Sequence, residues 1–121
     1  MSTPSSQLYI IPVLSSSDIE RDLIWYNKYT GFDYYFGDSG YAGLRRDNLE
    51  FHLQFHHNTK DDPVYGSVMK IFVTDIHPYL EEFVERGTIL KEKLRLNTPW
   101  KTHEFGFYDL NNNAIFIVQD V

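Results

Sequence analysis

The feature that most constrains this chain is that its pattern of elements runs once and then starts again. Residues 8–14, Leu-Tyr-Ile-Ile-Pro-Val-Leu, read as a strand, with Pro12 marking an edge or a bulge, and Ser15-Ser16-Ser17 breaks it. Ser17 and Glu20 have the spacing of a capping box. Ile19, Leu23 and Tyr26 share one face of the helix that follows, and Gly31 stops it. Three short strands come next, at residues 32–36, 41–46 and 49–55, separated by the turns Gly37-Asp38-Ser39-Gly40 and Asp47-Asn48. Residues 56–63 are polar and read as a loop.

The order then resumes. Residues 68–73 are apolar enough for a buried strand. Asp75 is placed to cap a helix with an apolar face of Ile76, Leu80, Phe83 and Val84, and Gly87 ends it. Pro78 falls in the first turn, where backbone N–H groups have no partner in any case. Residues 88–96 fit a strand or an irregular segment. Residues 102–108 and 114–119 read as strands around the turn Asp109-Leu110-Asn111-Asn112-Asn113. The order is β-α-β-β-β, twice, and Asp18-Ile19…Leu23 repeats as Asp75-Ile76…Leu80. This predicts an α+β domain of two similar modules, residues 8–55 and 65–121, whose sheets pack or pair.

A chain of 121 residues is one ordinary domain. A monomer of this size buries only about two-thirds of its unfolded surface, which favours a dimer. Nine Tyr, nine Phe and two Trp exceed what a small core needs, so some rings are expected to face a cleft or a partner. A net charge of −6 speaks against a nucleic-acid partner and suits a cationic ligand. The absence of Cys excludes disulfides and thiolate chemistry. No apolar run approaches the roughly 20 residues of a membrane span, and residues 1–7 lack the layout of a signal peptide, so a cytoplasmic location is expected.

Several stretches, in order along nearly the whole chain, resemble the bleomycin-resistance proteins. They are Pro12-Val13-Leu14 with Asp18, Tyr26 and Gly31-Phe32; then residues 41–47, Tyr-Ala-Gly-Leu-Arg-Arg-Asp; then Pro99-Trp100, Glu104-Phe105, Asp109 and Asn113. The resemblance implies the vicinal-oxygen-chelate (glyoxalase/bleomycin-resistance) fold. It also implies a homodimer with clefts near the subunit interface and an N-terminal arm, with Pro4, that crosses to the partner. Metal-dependent lyases and dioxygenases of that superfamily hold their ion on up to four strand positions. By spacing these are Ile11, Val68 or Met69, His52 and Phe116, and only His52 is a possible ligand. The expectation is therefore a binding protein without metal or cofactor, which sequesters a bleomycin-type or other flat cationic molecule and confers antibiotic resistance. The alternative is a metal-dependent lyase or dioxygenase.

The resemblance implies that Trp100 and Tyr41 stack on the flat part of a ligand. Strand alternation puts Glu50, His52 and Gln54 on one face and Phe51, Leu53 and Phe55 on the other. Glu50 and Glu104 would make the cleft negative, and Asp38 and Asp33 are the acidic residues near the second strand. A site of Glu50, His52 and Glu104 is the form an enzyme reading would take, although the i, i+2 spacing matches the four positions poorly. His56-His57 with Asp61-Asp62 lies in the polar loop and reads as surface. Neither a Ser-His-Asp arrangement nor a Gly-rich phosphate loop is visible.

Overall fold

A computed structural model describes residues 8–121. The elements are β1 (Val13–Ser16), α1 (Ile19–Thr30), β2 (Asp33–Gly37), β3 (Tyr41–Arg46), β4 (Leu49–Phe55), β5 (Val68–Phe72), α2 (His77–Glu85), a 3-10 turn (Lys91–Lys93), β6 (Thr102–Tyr108) and β7 (Ala114–Asp120). They form a four-stranded sheet, β1-β4-β3-β2, and a three-stranded sheet, β5-β7-β6. The N-terminal arm with Pro4 lies outside the described residues. No helix among the described residues is long and apolar enough to cross a membrane.

The structure corrects the sequence reading at four places. First, β1 begins at Val13 rather than Leu8 and continues through Ser15 and Ser16. Pro12 has no N–H to give a neighbour, so the parallel ladder with β4 starts after it, at Val13 opposite His52. Second, the cap of α1 is Asp18, whose carboxylate accepts the Arg21 N–H at 3.1 Å, and not a Ser17–Glu20 box. Ser17 instead donates its N–H to Asn111 Oδ1 at 3.0 Å. Third, α2 has no side-chain cap. Asp75 accepts the His77 N–H and stops one residue short of the helix. Fourth, residues 88–96 are not a full strand. They contribute the 3-10 turn and a single bridge, Arg95 to Glu104, so the second module is one strand shorter than the first.

The repeat is nonetheless in register. Across the first sheet, Val13, His52 and Gly43 stand side by side; across the second, Lys70, Phe116 and Gly106 do. Each glycine lies under an aromatic ring. A Cβ on Gly43 would meet Phe36 at 2.2 Å, and one on Gly106 would meet Phe116 at 2.6 Å. Both positions keep the ring flat on the sheet.

The other face of each sheet is apolar. Leu14, Ala42, Leu44, Phe51 and Leu53 pack under α1 with Ile19 and Tyr26, while Phe105 and Ile117 pack under α2 with Leu80 and Phe83. The two layers meet. Met69 and Ile115 from the second sheet join the first cluster, and Ile71 and Phe107 touch both. One face of each helix thus joins a shared core, and the alternate residues of both sheets face away from it.

Buried polar groups fasten the modules to each other. Asp109, 5% exposed, accepts the Asn111 and Asn113 N–H groups at 2.8 and 2.9 Å and the Tyr26 hydroxyl at 2.5 Å. Asp22 accepts from Ser16 and from Asn111 Nδ2. Asn113 Nδ2 donates to the Ser15 carbonyl at 3.0 Å. Every buried side-chain polar atom among the described residues has a partner. Burial first, and the charge and hydrogen bond of Asp109 next, push the Tyr26 phenol well above its usual range. Replacing Asp109 by Ala strands the Tyr26 hydroxyl and two buried backbone N–H groups. The expected loss is about 3 kcal/mol, read from urea unfolding, whereas Asp120→Ala on the surface changes stability by less than about 0.5 kcal/mol.

Candidate functional site

On the outer face of the first sheet the side chains form one connected row. Tyr41 Oη lies 2.7 Å from His52 Nδ1. His52 Nε2 lies 2.7 Å from Glu50 Oε2, and Arg45 Nε donates to Glu50 Oε1 at 3.1 Å. The Arg45 guanidinium in turn sits 3.5 Å above the Tyr35 ring. Antiparallel register makes this possible: Arg45 stands opposite Glu50, and Gly43 opposite His52 leaves space for Phe36. The Phe36 ring meets the imidazole edge-on, centroids 5.1 Å apart. The hydrogen bond to His52, then those of Arg45, hold the Glu50 carboxyl below its usual range. Tyr34, Tyr35 and Phe36 remain substantially exposed.

The second sheet carries Trp100. The Thr98–Lys101 turn is closed by the Lys101 N–H on the Thr98 carbonyl and by paired Thr98 and Thr102 hydroxyls 2.6 Å apart. From it the Trp100 indole N–H donates to Glu104 Oε1 at 2.8 Å, an oxygen that also accepts from the Thr102 hydroxyl at 2.7 Å. Arg95 lies 5.0 Å from the centre of the ring. Glu104 is buried, at 4% exposure, while Trp100 stays 52% exposed. Burial would raise the Glu104 carboxyl, but the bonds from Trp100 and Thr102 and the charges of Lys70 and Arg95 outweigh it and hold it below its usual range. Glu104 therefore fixes the angle of an exposed ring.

The structure brings Tyr41, His52 and Glu50 together, and Trp100 with Glu104, but keeps the two groups apart. They occupy outward faces of different sheets, and among the described residues no hydrogen bond or ring contact joins them. Within one chain Tyr41 and Trp100 share no hydrogen bond or ring contact, and the expected stacking by both rings belongs to clefts near a subunit interface. A groove of about 500 Å³ does run between the neighbourhoods of β1, β4 and β5, but it is lined by residues such as Ile11, Leu49, Glu50, Met69 and Lys70, not by Tyr41 or Trp100. Asp38 is a turn residue, accepting the Gly40 and Tyr41 N–H groups at 2.8 and 3.3 Å. Asp33 accepts from Asn27 Nδ2 at 2.7 Å. His56 and His57 both lean on Asp62, not Asp61. Sequence reasoning missed Arg45 and Arg95. Arg45 was reachable by applying to residues 41–46 the alternation that grouped Glu50, His52 and Gln54; Arg95 lies in the irregular segment and gave no signal.

The four strand positions do not suit a metal ion. Met69 is in the core, leaving Val68 on the outer face. Ile11, Val68 and Phe116 offer no donor, and both His52 ring nitrogens are already engaged. Glu104 does not approach Glu50 or His52, and no group of three such ligands occurs among the described residues.

Because the folded state holds Glu50 ionised, the stability it adds is present above the ordinary glutamate range and is lost as pH falls through its lowered value. Glu50→Gln is therefore expected to be destabilising at pH 7 and nearly neutral at about pH 2, as read from urea midpoints at both pH values.

No family model matches the sequence, and no curated protein does. Solved structures do match. A bleomycin-binding protein complexed with bleomycin aligns with a TM-score of 0.75 at 17% identity, covering 95% of this chain and 100% of that one. The bleomycin-binding protein of Streptomyces verticillus complexed with copper(II)-bleomycin aligns at 0.68 and 24%, covering 91% and 93%. A lactoylglutathione lyase from Agrobacterium tumefaciens aligns at 0.71 and 12%, covering 95% of each chain. Binding proteins and an enzyme thus share this architecture, and at these identities the likeness is one of fold: the chain has the glyoxalase/bleomycin-resistance fold.

Proposed function

We propose that this chain is a non-catalytic cytoplasmic binding protein that sequesters a flat, cationic small molecule of the bleomycin type and so confers resistance to it. The observation that carries the reading is Trp100. Its indole N–H is tied to a buried carboxylate, yet half of the side chain stays exposed. A ring held at a fixed angle loses little entropy on stacking, and an aromatic pair contributes about 0.5–1.5 kcal/mol beyond burial. Tyr41, Tyr35 and Phe36 offer a second aromatic surface on the other sheet. No bond is made or broken; the ligand is held away from its target.

The two aromatic surfaces share no contact within one chain, so a two-walled cleft calls for a second copy of the chain. In a homodimer the first sheet of one protomer would face the second sheet of its partner, giving two clefts. Exposed Val13, Val68, Phe72 and Tyr108 on these outer faces would then be covered. The likeness in fold to a lactoylglutathione lyase raises the rival reading of a metal-dependent enzyme. The donor set speaks against it, since one histidine with both nitrogens occupied is not a metal site.

Titration of metal-analysed protein with copper(II)-bleomycin and with metal-free bleomycin, followed by Trp fluorescence, tests the proposal. Saturation at one ligand per chain is expected, with at least tenfold weaker binding in Trp100→Ala, the remaining Trp25 serving as internal reference. Absence of binding by folded protein would sink the bleomycin reading, and a stoichiometric resident metal would reopen the enzyme reading. Sedimentation of the free protein is expected to show a dimer; a monomer would remove the two-walled cleft.

A further inference from the structure

The row Arg45–Glu50–His52–Tyr41 has a direction. Arg45 can only donate, and it donates to Glu50. The ionised carboxylate can only accept, so the His52 nitrogen beside it, Nε2, carries the hydrogen. In the neutral imidazole Nδ1 is then the acceptor, and the only proton available for the 2.7 Å contact is that of the Tyr41 hydroxyl. Each step follows from the one before, and the result lies at the end of the row. Tyr41 has spent its hydrogen inward, and its oxygen is left with lone pairs. Among the described residues no N–H or O–H donates to it. Its neighbours are the Phe36 ring, with centroids 6.4 Å apart, and His52 itself. Val13, beside His52 on β1, is apolar.

We infer that Tyr41 is the specificity-determining residue of this face: its oxygen, fixed as an acceptor, selects flat cations that carry an N–H donor over flat cations of equal charge that do not. The inference rests on the sequestration reading for the class of ligand and adds the chemical group that the first sheet recognises. An ammonium, amidinium or amide N–H attached to the ring system fits; a fully alkylated cation gains the stacking but leaves the oxygen unmet.

Two probes separate these features. 2-Naphthamidinium and N-methylquinolinium are both flat, bicyclic and positively charged, and only the first has N–H groups. Binding of each is measured by calorimetry at about pH 8.5, above the ordinary imidazole range. The wild type is expected to favour the amidinium by about tenfold, the scale of one hydrogen bond to a charged group. Tyr41→Phe, which keeps the ring, is expected to abolish the preference, the affinity ratio of the two cations falling to about one. Independently, the ¹⁵N shifts of His52 are expected to report the Nε2–H tautomer. Equal binding of the two cations by the wild type, a preference that survives in Tyr41→Phe, or an Nδ1–H tautomer would each overturn the inference and leave sequestration standing. If neither cation binds, the inference and the sequestration of flat cations fall together.

Discussion

The arrangement depends on the β6–β7 turn being held against the first module. That turn contains Asp109, Asn111 and Asn113, all of them buried. Asp109 shapes it by accepting two of its backbone N–H groups, and then reaches across to the Tyr26 hydroxyl. Asn111 meets Asp22 of α1, and Asn113 meets the Ser15 carbonyl of β1 and the Ser67 N–H just before β5. A buried carboxylate is tolerated only when hydrogen bonds replace its water, and here each has several. The price of leaving any one unmet is what makes the docking of the two modules specific. Apolar contacts alone, through Met69, Ile115 and Phe107, would allow sliding; directional bonds to named backbone atoms do not.

Docking of this kind decides what faces outward. With α1 and α2 packed on the core faces, no helix among the described residues covers the outer face of either sheet. A sheet face left open would ordinarily carry scattered polar residues. Instead, the first sheet presents a bonded row beside exposed aromatic rings, and the second presents Trp100 clamped by Glu104. The small residues fit the same logic. Gly43 and Gly106 are equivalent in register, and each lets a ring lie against the sheet. On the first sheet that ring, Phe36, buttresses a histidine; on the second, Phe116 occupies the histidine's own place. One module of the repeat therefore keeps a polar centre where the other has an apolar one.

Much of this was legible in the sequence because period and punctuation report on backbone and burial. The restart after residue 63, the alternation of Phe51 and Leu53 against Glu50 and His52, and the stop at Gly31 all appear as read. What failed depended on tertiary partners. Ser15 and Ser16 looked like a break, but β4 extends the ladder to them and Asp22 takes the Ser16 hydroxyl. The segment at 88–96, which fitted a strand or an irregular segment equally, takes the irregular form and keeps one bridge only. What alternation leaves open is spatial. Alternation assigned Glu50 and His52 to the non-core face of their strand, but it does not say how that face sits relative to Trp100, which lies in the turn before β6. That is set by the packing of the helices, through Tyr26–Asp109 and Trp25–Phe107, contacts between residues about 80 positions apart.

The acidic character of the chain acts less directly than its net charge suggests. Glu50 and Glu104 looked like free negative groups for a cationic ligand. Glu50 is instead neutralised by Arg45 and bonded to His52, and Glu104 is buried against Trp100 and Thr102 with Arg95 and Lys70 nearby. A carboxylate so occupied attracts a distant cation weakly, because its field is largely cancelled at short range. Its effect is passed on in another form. Glu50 orients His52, which orients the Tyr41 hydroxyl; Glu104 orients an indole. In the proposed sequestration a ligand would meet the lone pairs of a phenol and the negative face of a ring, both of which favour a cation at contact distance while holding little attraction for hydrated ions at long range. Recognition built in the proposed way would favour a flat organic cation over sodium or magnesium, since only the flat molecule can offer a stacking surface and a positive charge together.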